Sequence, residues 1–157
     1  MTSDLYQHEY NNLNHYNHNQ LSRFLDKINY PDPRNVNPKD IDKNIRDGIV
    51  RINKSDWVWT VFSCSGHTNK FSHPYIVFIV DNKYKGLLLE NIYNSFYKDI
   101  DNINLPLYGG RTFEISTCYS DNKFTMLSLH ISDYKRSRLK EYQSILNNLL
   151  LNITLSP

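Results

Sequence analysis

Three features are scarce in this sequence: long apolar runs, an excess of one charge, and cysteine. No apolar run approaches the roughly 20 residues of a membrane-spanning helix, so we expect no membrane partner. The 18 basic and 16 acidic side chains leave a formal charge of +2, without the clustered basic residues that mark a nucleic-acid-binding surface. Nucleic acid is therefore not an expected partner either.

The two cysteines and the polar N-terminus indicate where the protein works. Cys64 and Cys118 lie in or near predicted strands, which favours reduced thiols in a cytoplasmic protein. The first residues lack the apolar core of a secretory signal, in agreement with a cytoplasmic location.

Asparagine, lysine, isoleucine and tyrosine are abundant instead, and twelve residues are tyrosine. This composition is typical of AT-rich genomes, such as those of low-GC bacteria and their phages, and codon usage accounts for most of it. A length of 157 residues fits a single domain with one core, and no repeat is visible. We divide it into an N-terminal helical segment (1–30), a proline-rich linker (31–38) and a core (39–157). The prolines of the linker predict that it contains no helix.

The apolar pattern predicts an α+β fold, in which a four-stranded sheet is covered by helices and further helices lie at the N-terminus. Residues 75–80 are apolar on both faces, so we place this strand at the centre of the sheet. The second helix is predicted to begin at Asn37-Pro38, a cap followed by proline at the first helical position. Its predicted buried face, at helical spacing, consists of Ile41, Ile45, Ile49 and Ile52. The remaining predictions are a helix within 4–29, strands over 57–63, 111–119 and 123–131, a helix near 87–96, and a helix over 133–151.

The most informative stretch is Ser63-Cys64-Ser65-Gly66-His67-Thr68, which follows the first predicted strand. Glycine permits a positive φ and a close approach of the backbone to a ligand, and the neighbouring side chains supply donors and acceptors. These residues predict a ligand-binding loop. The alternative is a plain turn whose hydroxyls cap the neighbouring backbone.

This stretch, together with the preceding Ile49-Val50-Arg51-Ile52-Asn53 and the strand from Trp57, resembles the tRNA wybutosine-synthesising protein 3 family. The resemblance implies an α+β core and a pocket at the loop. Members of that family methylate a modified guanosine in tRNA with S-adenosylmethionine as the donor. His67 stands where those enzymes usually have arginine.

The residues of this loop could form two kinds of reactive site, a zinc site and a nucleophilic cysteine. Cys64, His67 and His73, with Cys118 or His130, could ligate zinc, but the spacing matches no common zinc motif, and histidines that hydrogen-bond a ligand or backbone are preferred. Cys64 could act as a nucleophile activated by His67, but a buried cysteine at a strand end is the preferred interpretation. We therefore predict no metal, no cofactor and no catalytic residue.

A second polar set precedes the third strand. Gly109-Gly110 would let backbone amides approach an anion, and Arg111 would supply a bidentate fork for a phosphate or carboxylate. An ordinary loop is the alternative for the two glycines. Aromatic rings near the predicted pocket could stack on a base, although most of the aromatic residues should belong to the core.

Together these patterns predict a protein that binds and sequesters a small nucleotide-derived signalling molecule, as a viral anti-defence sponge does, with a homo-oligomer as an open option. An S-adenosylmethionine-dependent tRNA methyltransferase and a hydrolase of nucleotide signals remain as alternatives. The predicted ligand-binding residues are Ser63, Cys64, Ser65, Gly66, His67, Thr68, Lys70, His73, Tyr75, Tyr108, Gly109, Gly110 and Arg111.

Overall fold

The computed structural model describes residues 19–66, 73–97, 113–131 and 139–157. These residues form the predicted α+β fold. The helices are α1 (residues 19–28), α2 (Arg46–Ile52), α3 (Lys85–Tyr97) and α4 (Leu139–Asn152), and the strands are β1 (Val58–Cys64), β2 (Tyr75–Asp81), β3 (Glu114–Ser120) and β4 (Phe124–His130). The predicted start of the last helix, from 133 to 138, lies outside the described residues.

The four strands form one antiparallel sheet in the order β1-β2-β4-β3. β2 lies between β1 and β4, which confirms the prediction that its apolar run is central. Alternate residues of a strand point to opposite faces, so Ile76, Phe78 and Val80 share one face of the sheet. Tyr75, Val77 and Ile79 share the other.

Helices cover both faces of this sheet. The face with Phe78 packs against α2, α3 and α4, and the largest buried cluster lies there. The opposite face, which we call the α1 face, carries Trp59, Ile79, Phe124 and Met126 under Leu21, Phe24 and Leu25 of α1. The N-terminal helix therefore shares a core with the sheet.

The predicted second helix begins later in the structure than in the sequence analysis. Asn37 accepts a hydrogen bond from the Lys39 backbone N–H at 3.1 Å, but it caps only a single 3₁₀ turn, Pro38–Asp40. The next residue, Ile41, is extended at φ −96° and ψ 136°, and α2 starts at Arg46. The prediction that 31–38 contains no helix also needs correcting, because Asp32 caps a second 3₁₀ turn at Pro33–Asn35.

The predicted buried face of this segment is nevertheless correct. Ile41, Ile45, Ile49 and Ile52 are all at most 7% exposed. The Arg46 guanidinium donates to the Ile41 carbonyl oxygen at 2.9 Å and bridges the turn between the two segments. The isoleucines thus reach one core through a turn followed by a short helix.

α2 and α4 cross at Gly48, where the two helices approach too closely for a larger residue. A Cβ at Gly48 would lie 2.6 Å from Leu150 Cβ, which is well inside van der Waals contact. Near the same crossing, the Arg51 guanidinium donates to the carbonyl oxygens of Leu150 at 3.0 Å and Ile153 at 2.7 Å. A cationic side chain on the last carbonyls of α4 stabilises that end of the helix.

Asn53 holds an irregularity in β1. The register of β1 on β2 shifts between Thr60 and Phe62, which marks a β-bulge. The Asn53 side-chain oxygen accepts the Thr60 backbone N–H at 2.8 Å and the Thr60 hydroxyl at 3.1 Å. Both residues are buried, so this amide supplies the acceptor that the two Thr60 donors need at the edge of the sheet.

Replacing Asn53 with alanine should lower the free energy of unfolding by about 1–2 kcal/mol, because two buried donors on Thr60 lose their acceptor. Urea denaturation followed by circular dichroism would measure the loss. Asn94→Ala, at an exposed position of α3, is the matched control and should cause no loss. Equal stability of the two variants would contradict the role assigned to Asn53.

Candidate functional site

The predicted loop begins with Ser65, which is 3% exposed and is held by a carboxylate. Asp42 Oδ2 accepts the Ser65 backbone N–H at 2.8 Å and the Ser65 hydroxyl at 3.2 Å. Asp42 thus brings a carboxylate to this loop from 23 residues earlier in the chain. A charge-assisted pair of this kind is stronger than a neutral one and fixes the backbone where β1 ends.

α4 holds the same point from the other side. Gln143, which is 9% exposed, donates from Nε2 to the Ser65 carbonyl oxygen at 3.1 Å. Gly66 has φ +82°, and a Cβ there would lie 2.8 Å from Leu139 Cδ1 and 3.0 Å from Pro74 Cγ. Glycine is required here both for the backbone conformation and for the space. We call Asp42, Ser65, Gly66 and Gln143 the loop clamp.

The loop clamp changes the interpretation of two predicted ligand-binding residues. Ser65 and Gly66 are buried and engaged with the fold, so they position the loop. Ser63 is half-buried and pairs with Ile76, which places it on the face that α2, α3 and α4 cover. His73 is exposed at the start of the segment that leads into β2.

Of the other predicted ligand-binding residues, two lie in described strands and the rest lie outside the described residues. Cys64 and Tyr75 are brought together as cross-strand partners. The remainder lie outside the described residues, and their predictions stand untested: His67, Thr68, Lys70, Tyr108, Gly109, Gly110 and Arg111.

The Cys64–Tyr75 pair belongs to a row that crosses the whole sheet. Tyr75 pairs with His130 of β4, and His130 pairs with Glu114 of β3. Directly opposed residues share a face, so a thiol, a phenol, an imidazole and a carboxylate lie side by side on the α1 face. We call Cys64, Tyr75, His130 and Glu114 the open row.

The open row lies beyond the part of the face that α1 covers. Cys64, Tyr75 and His130 are half-buried and Glu114 is exposed. In the next row inward, the ring of Phe62 meets Tyr30 at a centroid distance of 5.1 Å, and Val77 packs against the α1 cluster. The side chains of the open row are therefore accessible at the end of the sheet where β1 and β4 finish.

A hydrogen bond orients the imidazole of the open row. Ser128 Oγ lies 3.1 Å from His130 Nδ1, and both residues are on the α1 face of β4. Within the described residues, the other ring nitrogen of His130, the Tyr75 hydroxyl and the Glu114 carboxylate have no hydrogen-bond partner. These groups can serve a bound molecule without breaking a contact of the fold.

The site's chemistry is suited to hydrogen bonding and stacking. Both cysteines are free thiols, and the described residues contain no group of three or more His, Cys, Asp and Glu side chains able to hold a metal ion. Sequence patterns pointed to His130 only as a possible zinc ligand and did not single out Ser128 or Glu114. A signal for Ser128 and His130 exists in Leu127-Ser128-Leu129-His130, whose alternation puts both polar residues on one face.

No family model, curated protein or solved structure matches this chain. The described helices include none that is long and apolar enough to span a membrane. What the structure defines is an α+β protein with a clamped loop and an accessible row of polar and aromatic side chains at one end of its sheet.

Proposed function

We propose that this protein binds and sequesters a small nucleotide-derived molecule at the open row. The observation that carries the proposal is the row itself, in which Tyr75, His130 and Glu114 lie side by side with unused hydrogen-bonding groups. These partly exposed groups are not committed to contacts within the described fold, so a ligand can take them as donors and acceptors in place of water. In a phage, such binding would remove a nucleotide signal of host defence.

The chemistry of the open row suits a base and a sugar better than a phosphate. The Tyr75 ring offers a face on which a base can stack, and His130 offers a ring nitrogen as donor or acceptor. The Glu114 carboxylate accepts hydrogen bonds from hydroxyl or N–H groups and repels anions. A phosphate would need a cation, and the predicted one, Arg111, precedes Glu114 by three residues in the sequence.

The loop clamp supports binding because it fixes part of the site before a ligand binds. Asp42 and Gln143 fix the backbone at Ser65 and Gly66, so the residue beside them, Cys64, is held in register with Tyr75. A preorganised site loses less conformational entropy when it binds, which favours affinity.

Hydrolysis is the second candidate function, and one contact favours it. Ser128 Oγ lies within hydrogen-bond distance of His130 Nδ1, as a nucleophile and its base do. Sequestration remains the proposed function because a serine two residues from a histidine on a strand is also a common way to orient the ring.

We expect Tyr75→Ala to weaken binding about fivefold to more than a hundredfold, because stacking of a base on an aromatic ring is worth about 1–3 kcal/mol. Calorimetric titration with adenosine monophosphate, cyclic di-AMP, ADP-ribose and S-adenosylmethionine would measure affinities. Tyr119→Ala is the matched control, since Tyr119 lies on the same face at the other end of the sheet and contacts Phe24. No binding to any of these probes by the parent, or equal affinity of both variants, would contradict the proposal.

The same complex distinguishes sequestration from catalysis. The protein is incubated with the probe that binds, denatured by heat, and the released small molecule is analysed by mass spectrometry. Intact probe supports sequestration. A cleaved product that disappears in Ser128→Ala would establish the hydrolase, and a spent methyl donor would establish the methyltransferase.

A further inference from the structure

The two edge strands of the sheet, β1 and β3, differ in whether side chains of the chain hydrogen-bond their outward backbone groups. Along β1, the outward Thr60 N–H is taken by Asn53 Oδ1 at 2.8 Å, and Asp42 takes the N–H of Ser65 just beyond the strand. At the start of β1, Ser55 Oγ accepts the Val58 N–H at 3.4 Å. Side chains of the same chain therefore close this edge.

The other edge, β3, is open. Six of its seven side chains are exposed, and Ile115 is half-buried. The outer edge of Glu114–Ser120 has no hydrogen bond to any residue that the structure describes. From Ile115 to Ser120 the strand carries no charge and no proline, so the bulge between Thr117 and Tyr119 is the one feature in this stretch that commonly protects an exposed edge from pairing.

We propose that β3 pairs with β3 of a second copy of this chain, in antiparallel orientation, to form a continuous eight-stranded sheet. An antiparallel strand is complementary to its own copy under a two-fold axis, so the interface needs no second type of surface. The neutral stretch Ile115–Ser120 brings no like charges together. Glu114, the one charged residue of β3, would lie opposite the Ser120 end of the other copy.

The bulge in β3 lies beside the proposed axis. The register of β3 on β4 shifts between Thr117 and Tyr119, which leaves Cys118 without a partner on β4. Full overlap of the two copies of Glu114–Ser120 puts the two-fold axis at Thr117, so the pairing of the two copies must accommodate an irregularity at Cys118. Because β3 also carries Glu114, the second copy would border the open row on this side.

Sedimentation velocity over micromolar to millimolar concentrations tests the proposal. We expect the parent protein to pass from a species of 18.6 kDa to one of twice that mass as its concentration rises. Thr117→Lys should raise the dissociation constant of the dimer at least tenfold, because two like charges would be brought together across the interface at its axis. Ser144→Lys, the same charge change at an exposed position of α4, should leave it unchanged.

Cysteine cross-linking supplies an independent readout. Cys118 is exposed on β3, so a short bismaleimide should link two copies of the parent, and Cys118→Ser should abolish the product. A parent that stays monomeric at every concentration would overturn the proposal. So would a dimer that tolerates Thr117→Lys as well as Ser144→Lys.

Discussion

Replacing Gly48 with alanine should lower the free energy of unfolding by about 1–3 kcal/mol, although alanine is the better helix former. The added methyl group would lie 2.6 Å from Leu150 Cβ, an atom whose position is fixed by the backbone of α4. The Leu150 side chain cannot rotate to relieve this contact, so α2 and α4 must separate. Separation would also lengthen the bonds from Arg51 to the end of α4.

Gly86→Ala is the matched control for this prediction. Gly86 also lies in a helix, α3, but nothing approaches within 4 Å of the position that its Cβ would occupy. Alanine there should raise the free energy of unfolding by about 0.5–1 kcal/mol, through helix propensity alone. Urea denaturation of both variants gives the comparison, and stabilisation by both substitutions would show that the helix crossing is not tight at Gly48.

Replacing Asp42 with alanine should cost about 2–3 kcal/mol of stability, because the buried N–H and hydroxyl of Ser65 lose a charged acceptor. The loss of stability should be largest at the loop clamp. Hydrogen exchange at Ser65 and Gly66 should therefore accelerate more than exchange in the central strand β2.

Two further variants serve as controls for the loss of stability in Asp42→Ala. Asp42→Asn keeps an oxygen that can accept both bonds, since both reach the same Oδ2 atom, and should retain part of the stability. Asp26→Ala, at an exposed position of α1, should change stability little. If Asp42→Ala behaves like Asp26→Ala, the loop clamp does not hold the loop.

The sequence was sufficient to predict the fold, because the fold depends on local patterns. The continuous apolar run of β2 predicted its central place, and the spacing of Ile41, Ile45, Ile49 and Ile52 predicted their burial. The start of α2 was wrong because Asn37 and Pro38 begin a 3₁₀ turn as readily as an α-helix. In the structure the chain leaves the turn in an extended conformation at Ile41, and Arg46 donates back to the Ile41 carbonyl oxygen from the start of α2.

The site was only partly predictable, because its contacts join residues far apart in the chain. Asp42 lies 23 residues from Ser65, and Gln143 lies 78 residues from it. No local pattern marks either one. The open row depends on strand register, and the pairing of Tyr75 with His130 and of His130 with Glu114 follows only once the sheet order is known.

The attachment of residues 150–155 beside β1 has a consequence for folding kinetics. Trp57 Nε1 donates to the Thr154 carbonyl oxygen across 97 residues, Ser55 reaches Leu155 across 100, and Arg51 reaches Ile153 across 102. Contacts of such high sequence separation slow folding, because a long loop must close before they form. During synthesis on the ribosome, the contacts between the α2–β1 corner and residues 153–155 can form only after residue 155 has been synthesised. Until then Trp57 lacks its contact with Thr154, and we expect the nascent chain to expose apolar surface that chaperones bind.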